Sequence, residues 1–356
     1  MGVGILGIAA VLPPTVRTND YWSQELIESW SAKLRFDESP SDEPRFETEG
    51  QQIMFDAMKD AVGDPFHGVR ERRIAAPGTR PSDLEVSAGK NALDDASIEP
   101  KDVDVLLVAS AVSDFLVLPN APKVHHELGL SSHVMSMNTD AAANSFLQQL
   151  SLASSLISAG QAEVILLIQS CLMSRLADNS DASGSWWGDA ATAVVVARVP
   201  EADSILAVRH HTDGSFFDVS RADSKDGDWF DGGEVRWRVA NLVQAKRMML
   251  SVADIARAVV SPALQDVGID AKDVDFFGGY QGASWLQNAC RLATGHCNAK
   301  TVDIFPTTGM LGPAQVPMTL QIARESGVLE VGSLCTLFSG GSGITASGAV
   351  LRWIVE

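Results

Sequence analysis

The chain reads as an α/β protein with mainly parallel sheets covered by helices, arranged as two similar units. Three observations carry this reading. Apolar runs of strand length alternate with amphipathic, helix-length stretches along most of the chain. The segment 134–170 passes from an extended run through a tight turn into a helix and then a buried strand. The second half then repeats that rhythm, although residue-level repetition is too weak to establish duplication.

Taken in order, Val3–Leu12 is an apolar run closed by Pro13 and Pro14. No basic region precedes it, so it reads as a first strand rather than a signal peptide. Residues 19–64 are polar and helix-like in places. Ser82–Ala96 reads as a helix, with Ser82 as N-cap and Glu85 completing a capping box. Val103–Ala109 is a buried strand, Pro122–Leu128 begins a helix, Glu163–Ser170 is a buried parallel strand, and Ala190–Val199 is a strand closed by Pro200. In the second half, strands are expected at Ser204–Arg209, Asp275–Tyr280, Thr301–Ile304, Cys335–Phe338 and Ile344–Val355. Helices are expected at Val239–Gln265, Ala283–Ala293 and Gln315–Glu325, and His210–Gly232 reads as a loop. The boundary falls near Pro200–Asp203, which gives units 1–200 and 201–356.

The composition is that of a soluble globular chain: 356 residues, 46% hydrophobic and 20% charged. No stretch approaches eighteen uninterrupted apolar residues, so no transmembrane helix is expected. A formal charge of −18 argues against nucleic-acid and anionic-membrane partners. Cys171, Cys290, Cys297 and Cys335 sit at no paired or metal-binding spacing, which fits a reduced, cytoplasmic protein. The pairs His125-His126 and His296-Cys297 are wrongly spaced for a metal, and no cofactor is expected.

The stretch Val134–Ser151 organises the rest. Asn138, Thr139 and Asp140 lead through Ala141, Ala142 and Ala143 into a helix. Small residues at a helix start bring backbone amides close to a ligand, and an anion or oxyanion is at home there. Such a turn is also a place where enzymes mount a nucleophile. Here the residue at that point, Ala143, has no reactive atom.

Five segments now carry a resemblance: HGVRERRIAAPG at 67–78, DAAANSF at 140–146, WWGDAATAVVVARV at 186–199, HTDGS at 211–215 and GGSGITASGAVLRW at 340–353. Their order and spacing are similar to those of the β-ketoacyl-ACP synthase III family of the thiolase superfamily. The resemblance covers nearly the whole chain. It implies a five-layered αβαβα thiolase fold of two similar halves, an acyl thioester substrate borne on CoA or a carrier protein, and dimerisation through the strand before the turn, here Val134–Asn138. It also implies a catalytic Cys, His and Asn. The thiolate is favoured by the helix dipole, while His and Asn stabilise a developing enolate.

Matched residue by residue, all three are replaced. The cysteine position falls on Ala143; the HQAN element falls on 280–283, which puts Tyr280 at the histidine; the GNTS element falls on 309–312, which puts Met310 at the asparagine. At the nucleotide end, the residues that hold the CoA adenine in many members match Val62, Phe66 and a place near Asp181. Tyr280 reads either as a proton donor in a reshaped site or as a filler. Met310 is most simply packing. His211 is an alternative base or a loop histidine, and Cys171 lies near the pocket or is an inert buried thiol. Arg70, Arg72 and Arg73 meet phosphates or pair with acidic side chains, and Trp186 and Trp187 line a pocket mouth or pack at an interface.

Two readings follow. In the first, the chain is a catalytically degenerate subunit of an acyl-transfer or condensing system of fatty-acid or polyketide type in specialised metabolism, paired as a homodimer or with an active thiolase-fold paralogue. In the second, it is an active acyltransferase or C–C-condensing enzyme whose cysteine has been replaced by Ala143.

Overall fold

The structure, a computed structural model, describes residues 2–35, 46–59, 61–199, 204–224 and 227–356. The first half runs β1 (Gly2–Val11), β2 (Thr15–Thr18), α1 (Gln24–Arg35), α2 (Glu49–Lys59), β3 (Glu71–Ile74), α3 (Pro81–Ala96), β4 (Val105–Ser110), α4 (Ala121–Glu127), β5 (Met135–Asn138), α5 (Ser145–Ser158), β6 (Val164–Leu172) and β7 (Asp189–Val199). The second runs β8 (Ile205–Thr212), β9 (Ser220–Ser224), β10 (Val235–Val239), α6 (Leu242–Asp266), β11 (Phe276–Gly279), α7 (Leu286–Ala293), α8 (Phe305–Thr308), α9 (Gln315–Glu325), β12 (Leu334–Gly341) and β13 (Thr345–Arg352).

Alternation along the strands builds the layers, because successive side chains point to opposite faces of a sheet. In β4, Leu106 and Val108 face outward onto α3 and α4, where they join Ala88, Ala92, Leu93 and Val124. Val105 and Leu107 face inward onto α5, among Phe146, Leu150 and Ile157. The second sheet does the same: Cys335 and Leu337 of β12 meet the inner helices, and Phe338 meets α6 and α7. Helices α5 and α9 share one core between the two sheets. The result is five layers, helix, sheet, helix, sheet, helix, which is the thiolase fold.

Both sheets are mixed rather than mainly parallel. The first has the order β1-β7-β6-β4-β5; β6, β4 and β5 pair in parallel, and β7 pairs antiparallel with both β6 and β1, so β7 alone runs against the other four. The second has the order β11-β12-β13-β8, and only β11 and β12 are parallel. Strands β12 and β13 follow one another through a tight turn, which forces them antiparallel.

Other expectations change as well. Asp83, not Glu85, closes the start of α3, accepting from the Arg80 N–H at 2.9 Å. Ser82 lies inside the helix, and its hydroxyl donates to Asp114 at 2.7 Å. Glu85 is buried and accepts from Ser110, Ser170 and Asn120. Thr301–Ile304 forms no strand, because Gln281 and Gln287 hold the Val302 carbonyl and Gln281 accepts from the Ile304 N–H. The expected loop 210–232 contains the end of β8 and all of β9, and residues 235–239 form β10 ahead of α6. The expected boundary at 200–203 lies outside the described residues.

Candidate active site

The turn between β5 and α5 is tightly built. The Thr139 N–H donates to the Val108 carbonyl at 2.8 Å, so the chain leaves the sheet with its ladder still engaged. The Ala141 N–H donates to Ser145 Oγ, and the Ser145 hydroxyl donates to the Ala142 carbonyl. Ala142 sits in the left-handed region at φ 49°, a costly conformation for a residue with a Cβ. Residues 142–144 make one tighter turn and continue straight into α5. Ser339 of β12 donates to the Ala143 carbonyl at 2.8 Å, while Asn144 is buried and donates to Thr345. A Cβ on Gly341 would lie 2.5 Å from the Ala141 carbonyl oxygen, so only glycine lets the end of β12 lie on this turn. Below, Gln149 donates to Thr139 and accepts from Gln169, which accepts from Thr192.

The turn ahead of α9, residues 312–314, packs directly against residues 142–144. It gathers the other candidates. Met310 is 8% exposed; its N–H donates to the Trp186 carbonyl at 2.7 Å and its carbonyl accepts from Gly188. Tyr280 follows β11, and its N–H donates to the Phe338 carbonyl. A Cβ on Gly282 would lie 3.1 Å from the Tyr280 ring and 3.8 Å from Met310 Sδ, which places the two side chains together. Cys171 ends β6, fully buried, and its Sγ would lie 3.5 Å from a Cβ on Gly312. Burial pushes its thiol far above the ordinary range, as it does the Tyr280 hydroxyl, which Cys171 also faces. Neither group is ionised near neutrality.

His211 does not join them. It pairs with Ala346, which faces α6, whereas the neighbouring His210 faces α5 and contacts Ser151. A ring on the α6 face is turned away from the Ala143 turn. Sequence reading passed over His67, which stacks on Trp186 with centroids 4.1 Å apart and whose carbonyl accepts from Ser284. Burial lowers its pKa to about 4, so the ring is neutral.

The expected nucleotide end is aromatic. Phe66 packs with Trp22 and Trp30, Val62 is exposed, and Asp181 caps the following turn through the Ser183 N–H. Trp186 donates to the Pro65 carbonyl, and Trp187 meets Trp237 edge-on at 5.1 Å. The arginines make other contacts within the chain. Arg73 donates to the Pro13 carbonyl and Arg72 to Asn19 and the Arg17 carbonyl, while Arg70 is exposed. None of the three forms an ion pair among the described residues. No cluster of His, Cys, Asp or Glu suited to a metal occurs among those residues. No helix there is long and apolar enough to cross a membrane.

Comparison with known proteins shows what the chain is similar to. The family model described as 3-oxoacyl-[acyl-carrier-protein] synthase III matches residues 137–214, and its C-terminal counterpart matches residues 264–353. The β-ketoacyl-[acyl-carrier-protein] synthase III of Cereibacter sphaeroides is 29% identical over 293 residues, covering 80% of this chain and 88% of that protein. That of Staphylococcus epidermidis is 24% identical over 356 residues, covering 99% of both. Among solved structures, the synthase III of Pseudomonas aeruginosa superposes with a TM-score of 0.74 at 25% identity over 99% of each chain. Xanthomonas campestris OleA, in a structure with bound lauric acid and lauroyl-CoA, gives a TM-score of 0.76 at 22% identity over 99% of each chain.

Proposed function

We propose that this chain, a 3-oxoacyl-ACP synthase III-like protein of the thiolase superfamily, is a non-catalytic subunit of a condensing or acyl-transfer system of fatty-acid or polyketide type. The observation that carries the reading is Ala143. It stands at the head of α5, where helix amides and dipole favour an anion, and it offers only a methyl group. The residues around it supply no substitute: Tyr280 and Cys171 are held neutral by burial, and Met310 has no hydrogen to donate. Without a thiolate or an activated base, no group is prepared to attack an acyl thioester.

A partner would supply the chemistry. Strand β5 is the last strand of its sheet, with Met135 and Met137 exposed at 45% and 37%. The apolar run Phe115–Leu118 is exposed beside it, because the Ala121 N–H ties the start of α4 to Asn138. An edge strand next to an apolar loop suits pairing across a two-fold axis with a second thiolase-fold chain. We read that chain as an active paralogue rather than a second copy.

Intact-mass measurement after incubation with lauroyl-CoA, and with acylated carrier protein, tests the reading. The expected result is no covalent adduct from this chain alone, and acylation of the partner when the two thiolase-fold chains are co-expressed. A stoichiometric acyl adduct on the isolated chain overturns it in favour of an active acyltransferase.

A further inference from the structure

Several arginines of this protein hold a carboxylate. Arg324 is clamped on Asp95 and Arg198 on Glu163. Arg209 shows the preferred geometry, its Nε and Nη2 holding the two oxygens of Asp266 at 2.5 and 2.6 Å.

Arg72 departs from that pattern. It is 1% exposed, among the most deeply buried large side chains in the molecule. Only its Nη1 is engaged, donating to Asn19 Oδ1 at 2.8 Å and to the Arg17 carbonyl at 3.3 Å. Nε and Nη2, the same fork that Arg209 uses, are buried and have no partner. The rings of Trp22 and Phe66 flank the guanidinium at 4.9 and 5.9 Å, and Trp22 Nε1 is itself buried and unpartnered. Loss of solvent, and after it the like charge of neighbouring Arg17, pull the Arg72 pKa down to about 10. Ring faces offset part of the cost of burying a cation, but they do not satisfy two in-plane N–H donors. A buried guanidinium beside a second cation, with its bidentate edge open, is an incomplete pair.

We infer that the Arg72 fork is a binding site for a small organic carboxylate, whose two coplanar oxygens accept from Nε and Nη2. The ring faces of Trp22 and Phe66 give that site an apolar side, and Trp22 Nε1 is a further donor. A carboxylate suits the site better than a phosphate, because a single guanidinium among aromatic rings leaves a second negative charge uncompensated. The flanking rings belong to the same apolar cluster as Met310 and Tyr280. A Cβ on Gly309 would lie 3.4 Å from Arg72 Cβ, so the base of the Arg72 side chain lies against the backbone next to Met310. The inference holds whether or not that pocket is catalytic.

The test follows the Arg72 Nε–H directly. Arginine-labelled full-length protein is titrated with sodium acetate and sodium hexanoate at constant ionic strength, with sodium phosphate and sodium chloride as contrasts, and the Nε–H resonances are followed by 1H–15N spectroscopy. Comparison with Arg72→Lys identifies the Arg72 signal. It should move downfield and saturate with hexanoate, more weakly with acetate, and stay in place with phosphate and chloride. Arg72→Lys, which keeps the charge and loses the fork, should weaken hexanoate binding roughly tenfold or more by calorimetry, and Trp22→Phe several-fold. If Arg72→Lys fails to fold, calorimetry of hexanoate against phosphate on the wild type and on Trp22→Phe still decides. An unmoved signal means that the ring faces satisfy the fork and overturns the inference, as does an equal response to phosphate or unchanged binding in the variants.

Discussion

Two turns at the centre of the molecule have nearly the same backbone and different side chains. Residues 142–144 lead into α5, and residues 312–314 lead into α9. Each begins with a left-handed residue, Ala142 at φ 49° and Gly312 at φ 50°. Each is tied by the preceding N–H to the side chain four residues on: Ala141 to Ser145, and Leu311 to Gln315. Each is also approached by a glycine from the other half, Gly341 on the first and Gly188 at Thr308 just ahead of the second. The difference is where strain is kept. The second turn uses glycine where glycine fits, while the first places an alanine in a conformation that disfavours a Cβ. Strain of that kind persists where surrounding structure over-determines it, and it concentrates at sites with a functional history. The turn ahead of α5 keeps the strain although its next residue, Ala143, presents only a methyl group.

The contact glycines give the strongest way to break this correspondence. A Cβ on Gly188 would lie 1.9 Å from the Thr308 carbonyl oxygen, and one on Gly341 would lie 2.5 Å from that of Ala141. Both obstacles are backbone, so neither can swing aside. Gly188→Ala should cost about 3 kcal/mol or more and Gly341→Ala about 2 kcal/mol in urea unfolding. A Gly188→Ala protein as stable as wild type would mean that the second turn is not held from the other half.

Acid should separate the two turns next. His67 covers the second turn through its stack on Trp186, whose carbonyl holds Met310. Its folded pKa of about 4 lies below the ordinary 6.5, so the fold prefers the neutral ring. The unfolded chain therefore takes up more protons between those values, and stability is full above pH 6.5 and falls as pH drops toward 4. The loss from His67 should be about 3 kcal/mol by pH 4, and His67→Gln should remove it. Glu85 and Asp189, whose carboxyls burial pushes up, run the other way and lose stability as pH rises above their ordinary values. The wild-type minus His67→Gln difference isolates the histidine. A difference that is flat from pH 7 to 4 would contradict its neutral burial.

Much of this architecture is legible in the residues, and what is not has physical reasons. Apolar runs such as 103–109 mark strands, and the DAAANSF turn marks its own helix. Fully apolar strands carry no mark of direction, so the antiparallel β7 read like its parallel neighbours. The Ser82/Glu85 spacing satisfies a capping rule, yet Ser110, Asn120 and Ser170 claim the carboxylate from elsewhere in the chain. The meeting of Tyr280, Met310 and Cys171 depends on contacts across more than a hundred residues, and only the family resemblance anticipated part of it. His67, Gly188 and Gly341 lie in segments that carry the family resemblance, but nothing in those segments marks the contacts they make. Their roles arise from close approaches that no sequence window contains.

Exchanging the residue types at the left-handed positions sharpens the comparison with a smaller effect of opposite sign. Ala142→Gly relieves roughly 1 kcal/mol of left-handed strain and gives part of it back in unfolded-chain entropy, for a net gain of about 0.5 kcal/mol. Gly312→Ala introduces the strain that Ala142 already tolerates and should cost about 1 kcal/mol. Its added methyl would lie 3.5 Å from Cys171 Sγ, an ordinary contact, so overlap adds little. Two changes of the same sign in urea unfolding would show that the matching dihedral angles do not reflect matching strain.

The smallest change in stability, and the most informative about chemistry, is Ala143→Cys. Ala143 is half-buried and its carbonyl is already held by Ser339, so one added sulfur should alter unfolding by no more than about 0.5 kcal/mol. The new thiol would stand at the start of α5, where unpaired amides and the dipole favour a thiolate. It should therefore react with iodoacetamide near neutral pH, while Cys171, whose thiol burial pushes far up, stays unmodified under the same conditions. Acyl loading from lauroyl-CoA is expected to follow the same thiolate. Condensation is a separate step, because it needs donors aimed at a developing enolate oxygen. Removing one such donor typically costs on the order of a hundredfold in rate. Here Met310 cannot donate, and the Tyr280 hydroxyl is held neutral among apolar neighbours. Peptide mass mapping after alkylation, beside a product assay with a malonyl acceptor, separates the steps. Alkylation and acyl loading without condensed product fit a turn that kept its geometry after its partners were replaced. Brisk condensation by Ala143→Cys would show that Tyr280 and its surroundings still form a working site, and that the residue at 143 alone silences it.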